Sequence, residues 1–196
     1  MSPPRTVSSR RLAEPHVALL RGINVGGKNV IRMADLRACF EGLGCAAVET
    51  YIQSGNVVFR PPAADAANRV RAIERALSER FDYASRVVLR SRASMLRVVD
   101  EAPKGFGTEA DTYRYDVLFL RPGTSASGLV DQVPVREGVD TVDAGTDVLY
   151  CSRLIARAAQ SRLSKLASMP IYQEMTVRNW RTTTRLLEML EAAQAD

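Results

Sequence analysis

The sequence predicts an α+β protein. A ferredoxin-like βαββαβ subdomain spans residues 16–92, packed on a second, smaller α+β subdomain over 93–196, and both follow a disordered arm over 1–15. Three observations carry that expectation. Short apolar runs alternate with helical periodicities in the order β-α-β-β-α-β through the first half. The second half alternates strand and helix again, although no convincing sequence repeat joins the halves. No low-complexity linker separates them either, so the two should pack tightly.

The elements are justified in order. His16 to Arg21 is a short apolar run and reads as a strand, and Gly22 to Asn29 is a glycine-rich loop. Met33, Leu36, Phe40 and Leu43 recur at helical spacing, with Asp35 in the first turn and Gly42 and Gly44 closing the helix. Val48 to Ile52 and Asn56 to Phe59 flank the Ser54-Gly55 turn and form a hairpin, ended by Pro61-Pro62. Val70, Ile73 and Leu77 mark the inner face of a second helix, and Arg86 to Arg90 is the next strand. Ser94 to Asp100 reads as helix, Pro103 to Thr112 as loop, and Tyr115 to Leu120 as a strand stopped by Pro122-Gly123. A short helix over Ser125 to Gln132 and strands over Val139 to Val142 and Asp147 to Cys151 follow. Two helices close the chain: one carries Leu163, Leu166 and Met169, and the other starts at the N-cap residue Asn179 and carries Leu186, Leu187 and Leu190.

Composition bounds the function. A chain of 196 residues with 46% hydrophobic and 25% charged residues is globular rather than disordered. It is long enough to fold without metal or disulfide. Cys39, Cys45 and Cys151 are odd in number and form no CxxC pair, so they indicate a reducing compartment. With the single histidine, His16, they fall short of a zinc or iron–sulfur ligand set, and neither a metal nor a cofactor is expected. No apolar run approaches the roughly 20 residues of a bilayer span, and the arm has no apolar core of a signal peptide. The protein therefore reads as cytoplasmic, with no membrane partner.

Charge is unevenly spread. Residues 151–185 carry seven cations against Glu174 and are net +6, whereas residues 109–147 are net −5, in a chain of net +5 overall. Such a basic C-terminal third attracts anions, or meets an acidic face on another copy.

Three motifs follow from residue chemistry. Gly22-Ile23-Asn24-Val25-Gly26-Gly27-Lys28 satisfies GxxxxGK, the glycine-and-lysine pattern that turns backbone N–H groups and an ammonium toward phosphate. Asn29 stands where a P-loop has Ser or Thr, so an NTPase is not indicated, and the segment is either a looser anion-binding loop or a flexible connection built on Gly26-Gly27. In the hairpin, Ser54 and Asn56 either contact a ligand or satisfy turn backbone. The hairpin lacks the basic and aromatic pattern of an RNA-recognition module. Arg178 beside the capped helix start at Asn179 is a third anion-binding arrangement. Its plainer reading is that Asn179 caps, Arg178 pairs with a carboxylate and Trp180 is core. Nucleophile triads lack support, because the only imidazole, His16, sits at a strand start, so Ser or Cys would require a lysine or carboxylate base instead.

The same stretches carry a resemblance. Ala18 to Asn29 with Met33 and Leu36, then Thr50 to Phe59, then Thr176 to Trp180 with Thr182, resemble the three signature blocks of an uncharacterised bacterial family, domain of unknown function 1697. The likeness runs from about His16 to Leu190. It implies two α+β subdomains of ferredoxin-like character and brings no activity, substrate or catalytic residue. His16 stands where members more often show an aromatic, and Asp100 to Tyr113 matches weakly.

The resulting expectation is a protein that binds a phosphate-bearing small molecule or a nucleic-acid backbone. Arg21, Lys28 and Arg178 would supply charge, and Asn24, Asn29, Ser54, Asn56 and Asn179 oriented polar groups. An enzyme acting on a phosphorylated or carboxylated metabolite at that site is a second expectation. A charge-driven homodimer is a third.

Overall fold

The computed structural model describes residues 13–24, 29–63 and 66–195. Its first unit is β1 (His16–Leu20), α1 (Met33–Gly42), β2 (Ala46–Tyr51), β3 (Asn56–Arg60), α2 (Arg69–Phe81) and β4 (Val87–Ser91). The second begins with α3 (Arg92–Asp100) and continues through β5 (Tyr113–Leu120), α4 (Ala126–Leu129), β6 (Asp140–Ala144), β7 (Val148–Leu154), β8 (Met175–Asn179) and α5 (Trp180–Ala195). The β-α-β-β-α-β order expected of the first half is present. Most of the predicted arm, residues 1–12, lies outside the described residues. Its last three residues are tied down: Ala13 N donates to Pro61 O (2.9 Å) and Pro15 O accepts from Arg92 N (3.2 Å).

Two four-stranded antiparallel sheets result, ordered β2-β3-β1-β4 and β6-β7-β5-β8. The mixed α+β class is thus as predicted, and the two sheets are equal in strand number. Counted from its own first strand, the second sheet repeats the order of the first. Each unit's last strand also runs directly into a helix, β4 into α3 and β8 into α5. The fold is internally duplicated, in a chain whose halves show no matching sequence.

Period-two alternation sends each strand's side chains to two different cores. Ala18, Leu20, Val57 and Phe59 face α1 and α2, against Leu36, Phe40, Ile73 and Leu77. Val17, Leu19, Val58 and Val88 face the other way, into a core shared with Val117, Phe119, Val148 and Tyr150 of the second sheet. Met95 and Val98 of α3 and Leu186, Leu187 and Leu190 of α5 fill the space between. Both halves therefore depend on one core, which is why no linker is needed. Leu118, Leu120, Leu149 and Met175 line a third core on the far face.

Two expectations need correction. Leu163, Leu166 and Met169 lie on a succession of 3₁₀ turns between residues 155 and 174, not on an α-helix. Their strict three-residue spacing is the 3₁₀ period, with no i+4 partner, and Pro170 blocks continuation. The segment before the last helix is a strand, β8, which pairs with β5 from Asp116↔Asn179 to Leu120↔Met175. Five residues with Arg178 among them carry too weak an alternation to announce a strand.

Candidate functional site

The three predicted segments converge. Arg178 sits at their meeting point, 7% exposed. Its Nη2 donates to the carbonyls of Leu20 (2.8 Å), Ser54 (3.1 Å) and Gly55 (3.2 Å). Its Nη1 donates to Val177 O (2.8 Å) and Thr176 Oγ1 (3.1 Å), and its Nε to Asn56 Oδ1. Every N–H of the guanidinium is thereby engaged with the chain. Burial, with no carboxylate pairing with it among the described residues, lowers its pKa to about 10. Asn56, fully buried, also donates to Tyr51 O (2.9 Å) and Ser54 Oγ (3.1 Å). Asn24 donates to Ile31 O (3.1 Å) and Gln53 O (2.8 Å) and accepts from Ile31 N (2.8 Å). Asn24, Asn56 and Arg178 thus join loop, hairpin and β8 into one polar knot.

The turn requires its glycine. Gly55 has φ +79°, and a Cβ there would lie 2.7 Å from Ile23 Cδ1 and 2.8 Å from Leu20 Cβ. The other predicted residues sit at the knot's edge. Asn29 donates to Gly22 O (2.8 Å). Arg21 lies over the Tyr172 ring (4.8 Å) and donates to Gln173 Oε1 (2.6 Å). Lys28 lies outside the described residues. Asn179 caps α5 as expected, its Oδ1 accepting from Thr182 N at 2.7 Å.

A second arrangement lies beyond the knot. β5 runs three residues past β8, because at Asn179 the chain leaves the sheet to become α5. A cavity of about 830 Å³ opens at that corner, a volume in the range of small-molecule sites. Tyr113, Arg114 and Tyr115 of β5, Arg153 of β7, and Asn179, Trp180 and Arg181 at the start of α5 line it.

Its walls combine rings and guanidinium groups. Phe106 anchors the aromatic side, edge-on to Tyr115 (4.8 Å between centroids), Trp180 (5.2 Å) and Tyr150 (5.4 Å). Gly107, at φ +87°, lets Trp180 lie against the backbone, since a Cβ there would come within 2.2 Å of the indole. Arg114 stands directly across from Arg153 in the β5–β7 register. Two like charges at that spacing repel. Asp116 offsets them in part, 3.5 Å from Arg114. Burial holds the Asp116 carboxyl above its usual pKa, against the pull of both arginines.

Of the eight predicted site residues, Asn179 alone lines this cavity. The signal that could have found it is the alternation Tyr113-Arg114-Tyr115 read beside Arg153 and Arg181 in the basic C-terminal third. Among the described residues no group of three or more His, Cys, Asp or Glu is placed to hold a metal ion. His16 donates through Nδ1 to Glu14 O (2.8 Å), and burial lowers its pKa.

A family model described as "Protein of unknown function (DUF1697)" matches residues 14–150. The chain belongs to the DUF1697 family. That is the family its motifs resemble. The solved structure of the conserved bacterial protein SP0830 from Streptococcus pneumoniae is similar to this DUF1697 protein, with a TM-score of 0.77 and 26% identity. The match covers 90% of this chain and 98% of SP0830. Among curated proteins none matches. No helix among the described residues is long and apolar enough to cross a membrane.

Proposed function

We propose that this DUF1697 protein binds a phosphate-bearing small molecule, of about nucleotide size, in the corner cavity. The observation that carries the reading is the convergence of Arg114, Arg153 and Arg181 on one hollow that is also walled by Tyr113, Tyr115 and Trp180. Guanidinium forks match phosphate oxygens in geometry and charge. Aromatic rings beside them give a flat group a face to lie on. Arg178 and Asn56 act one step back, as positioning residues. By pinning β8 to the hairpin they fix where Asn179, Trp180 and Arg181 enter the cavity.

The ferredoxin-like reading of the first unit rests on its β2-β3-β1-β4 order. The cytoplasmic reading rests on three free thiols, Cys39, Cys45 and Cys151.

Trp180 is the chain's one tryptophan, so its emission reports on the cavity. Titration with AMP should change that emission saturably, and the Arg153→Ala, Arg181→Ala double variant should weaken binding at least about tenfold, the loss of charge-assisted bonds. Titration with a short single-stranded RNA separates a small molecule from a nucleic-acid backbone. Emission indifferent to both ligands would overturn the reading.

A further inference from the structure

The duplicated fold provides a comparison inside one molecule. Arg90 and Arg178 hold corresponding places, two residues before α3 and α5 respectively. Each crosses to the other unit's sheet and donates from Nη2 to the carbonyl ending that sheet's first strand, Arg178 to Leu20 (2.8 Å) and Arg90 to Leu120 (2.7 Å). Each also reaches the turn before that sheet's third strand, Arg90 at Asp147 O (3.1 Å) and Arg178 at Gly55 O (3.2 Å). Each donates through Nη1 to the carbonyl just before it, Leu89 (3.1 Å) or Val177 (2.8 Å).

The remaining donors differ. Arg178 places Nε on Asn56 Oδ1 and a second Nη1 bond on Thr176 Oγ1. The positions corresponding to Asn56 and Thr176 around Arg90 are Val148 and Val88, which have no acceptor to offer. Arg90 is 6% exposed, and its Nε has no partner among the described residues. The Phe119 ring, 6.0 Å from the guanidinium carbon, is a weak substitute. A buried cation with unfilled donors carries a desolvation penalty that an acceptor would relieve.

A cavity of about 290 Å³ is bordered by Arg90, Ser94, Arg121, Gly123, Thr124 and Asp147. Arg90 Nε itself is closed off from solvent, so the donor a ligand there would use is the second N–H of Nη1, whose one bond is to Leu89 O. The Asp147 carboxylate faces Arg97 at 3.7 Å and the Glu101 carboxylate accepts from Thr146 beside it, so Arg90, Arg97 and Arg121 stand against two acids. We propose that this cavity binds a tetrahedral oxyanion, held by the guanidinium groups of Arg90 and Arg121 and by the hydroxyls of Ser94 and Thr124. It is a separate site from the corner cavity and shares no lining residue with it.

The test is calorimetric titration with inorganic phosphate, and then sulfate, of four proteins: wild type, Arg121→Ala, Thr124→Ala, and the Arg153→Ala, Arg181→Ala double variant of the corner. Among the described residues the Arg121 side chain has no hydrogen-bond or ion-pair partner, so its loss should spare folding, which circular dichroism checks. Saturable binding of both anions should persist in the corner variant, weaken at least about tenfold in Arg121→Ala and weaken less in Thr124→Ala. Binding lost in the corner variant but unchanged in Arg121→Ala would overturn this site while leaving the corner reading intact. Absence of any heat in the wild type at millimolar phosphate would overturn it too. Loss of AMP binding at Trp180 alone would overturn only the corner reading.

Discussion

Arg90 and Arg178 are exchanged between the two halves of the molecule. Arg90 leaves β4 of the first sheet to hold the end of β5, at Leu120, while Arg178 leaves β8 of the second sheet to hold the end of β1, at Leu20. The backbone around each is alike as well: Leu20 N donates to Gly55 O (2.8 Å) and Leu120 N to Asp147 O (3.1 Å). The shared apolar core brings the sheets together without specifying direction or register. The two arginines specify both, since carbonyls at strand ends accept from a rigid fork in few arrangements.

That exchange predicts unequal costs. Replacing Arg178 with lysine removes the fork and leaves Asn56 Oδ1 and several carbonyls without donors in a buried place. The expected loss is about 3 kcal/mol or more, from the cost of unsatisfied buried groups. Arg90→Lys removes fewer filled bonds and should cost less. Urea denaturation of both variants measures the difference, and equal losses would contradict the bond inventory.

Gly107 should matter to Trp180 rather than to the core. Alanine there would place a methyl group on the indole and hold an L residue at φ +87°. The ring must move, and the cavity wall moves with it. Gly107→Ala is expected to shift tryptophan emission toward the red and to weaken AMP binding, with stability reduced by about 1–3 kcal/mol. Unchanged emission would mean that the ring does not rest on this backbone.

The first unit was legible in the sequence because its signals are local. Leu36 and Phe40, or Ile73 and Leu77, state their helices through spacing, and Ser54-Gly55 states its hairpin. The meeting of loop, hairpin and Arg178 could be anticipated from polar residue types. What sequence could not show is that the meeting is closed upon itself, since donor accounting at Arg178 needs coordinates. β8 escaped notice because a strand of five residues with a buried arginine breaks alternation. The corner cavity escaped for a related reason. It exists only because β5 outruns β8, a fact of register and not of any one segment. Duplication was invisible because the corresponding pairs, Asn56 with Val148 and Thr176 with Val88, have diverged in polarity.

The three thiols should be inert in the native protein. Burial raises the pKa of Cys39, that of Cys45 to about 11 and that of Cys151 to about 12, so little thiolate exists at neutral pH. Reaction with a disulfide reagent at pH 7.5 is expected to be slow until denaturant is added, and then to count three. Rapid native labelling of Cys45, the least covered of the three, would show that its shell opens.

Asp116 gives a pH-dependent prediction whose sign is fixed by its burial. Its carboxyl has a pKa above the unfolded value, because the cost of burying the charge exceeds the attraction of Arg114 and Arg153. A carboxyl raised in this way favours the folded state fully below its unfolded pKa, and that contribution is lost as pH rises through the folded pKa. Asp116→Asn should therefore be more stable than wild type at pH 7, and the advantage should shrink as the solution is acidified toward the carboxylate range. The same substitution removes the carboxylate that pairs with Arg114, so AMP should bind the variant more tightly at pH 7. Thermal denaturation across pH, together with Trp180 titration at pH 7, measures both effects. A variant less stable at pH 7 would show that the ion pair with Arg114 outweighs the burial of the charge.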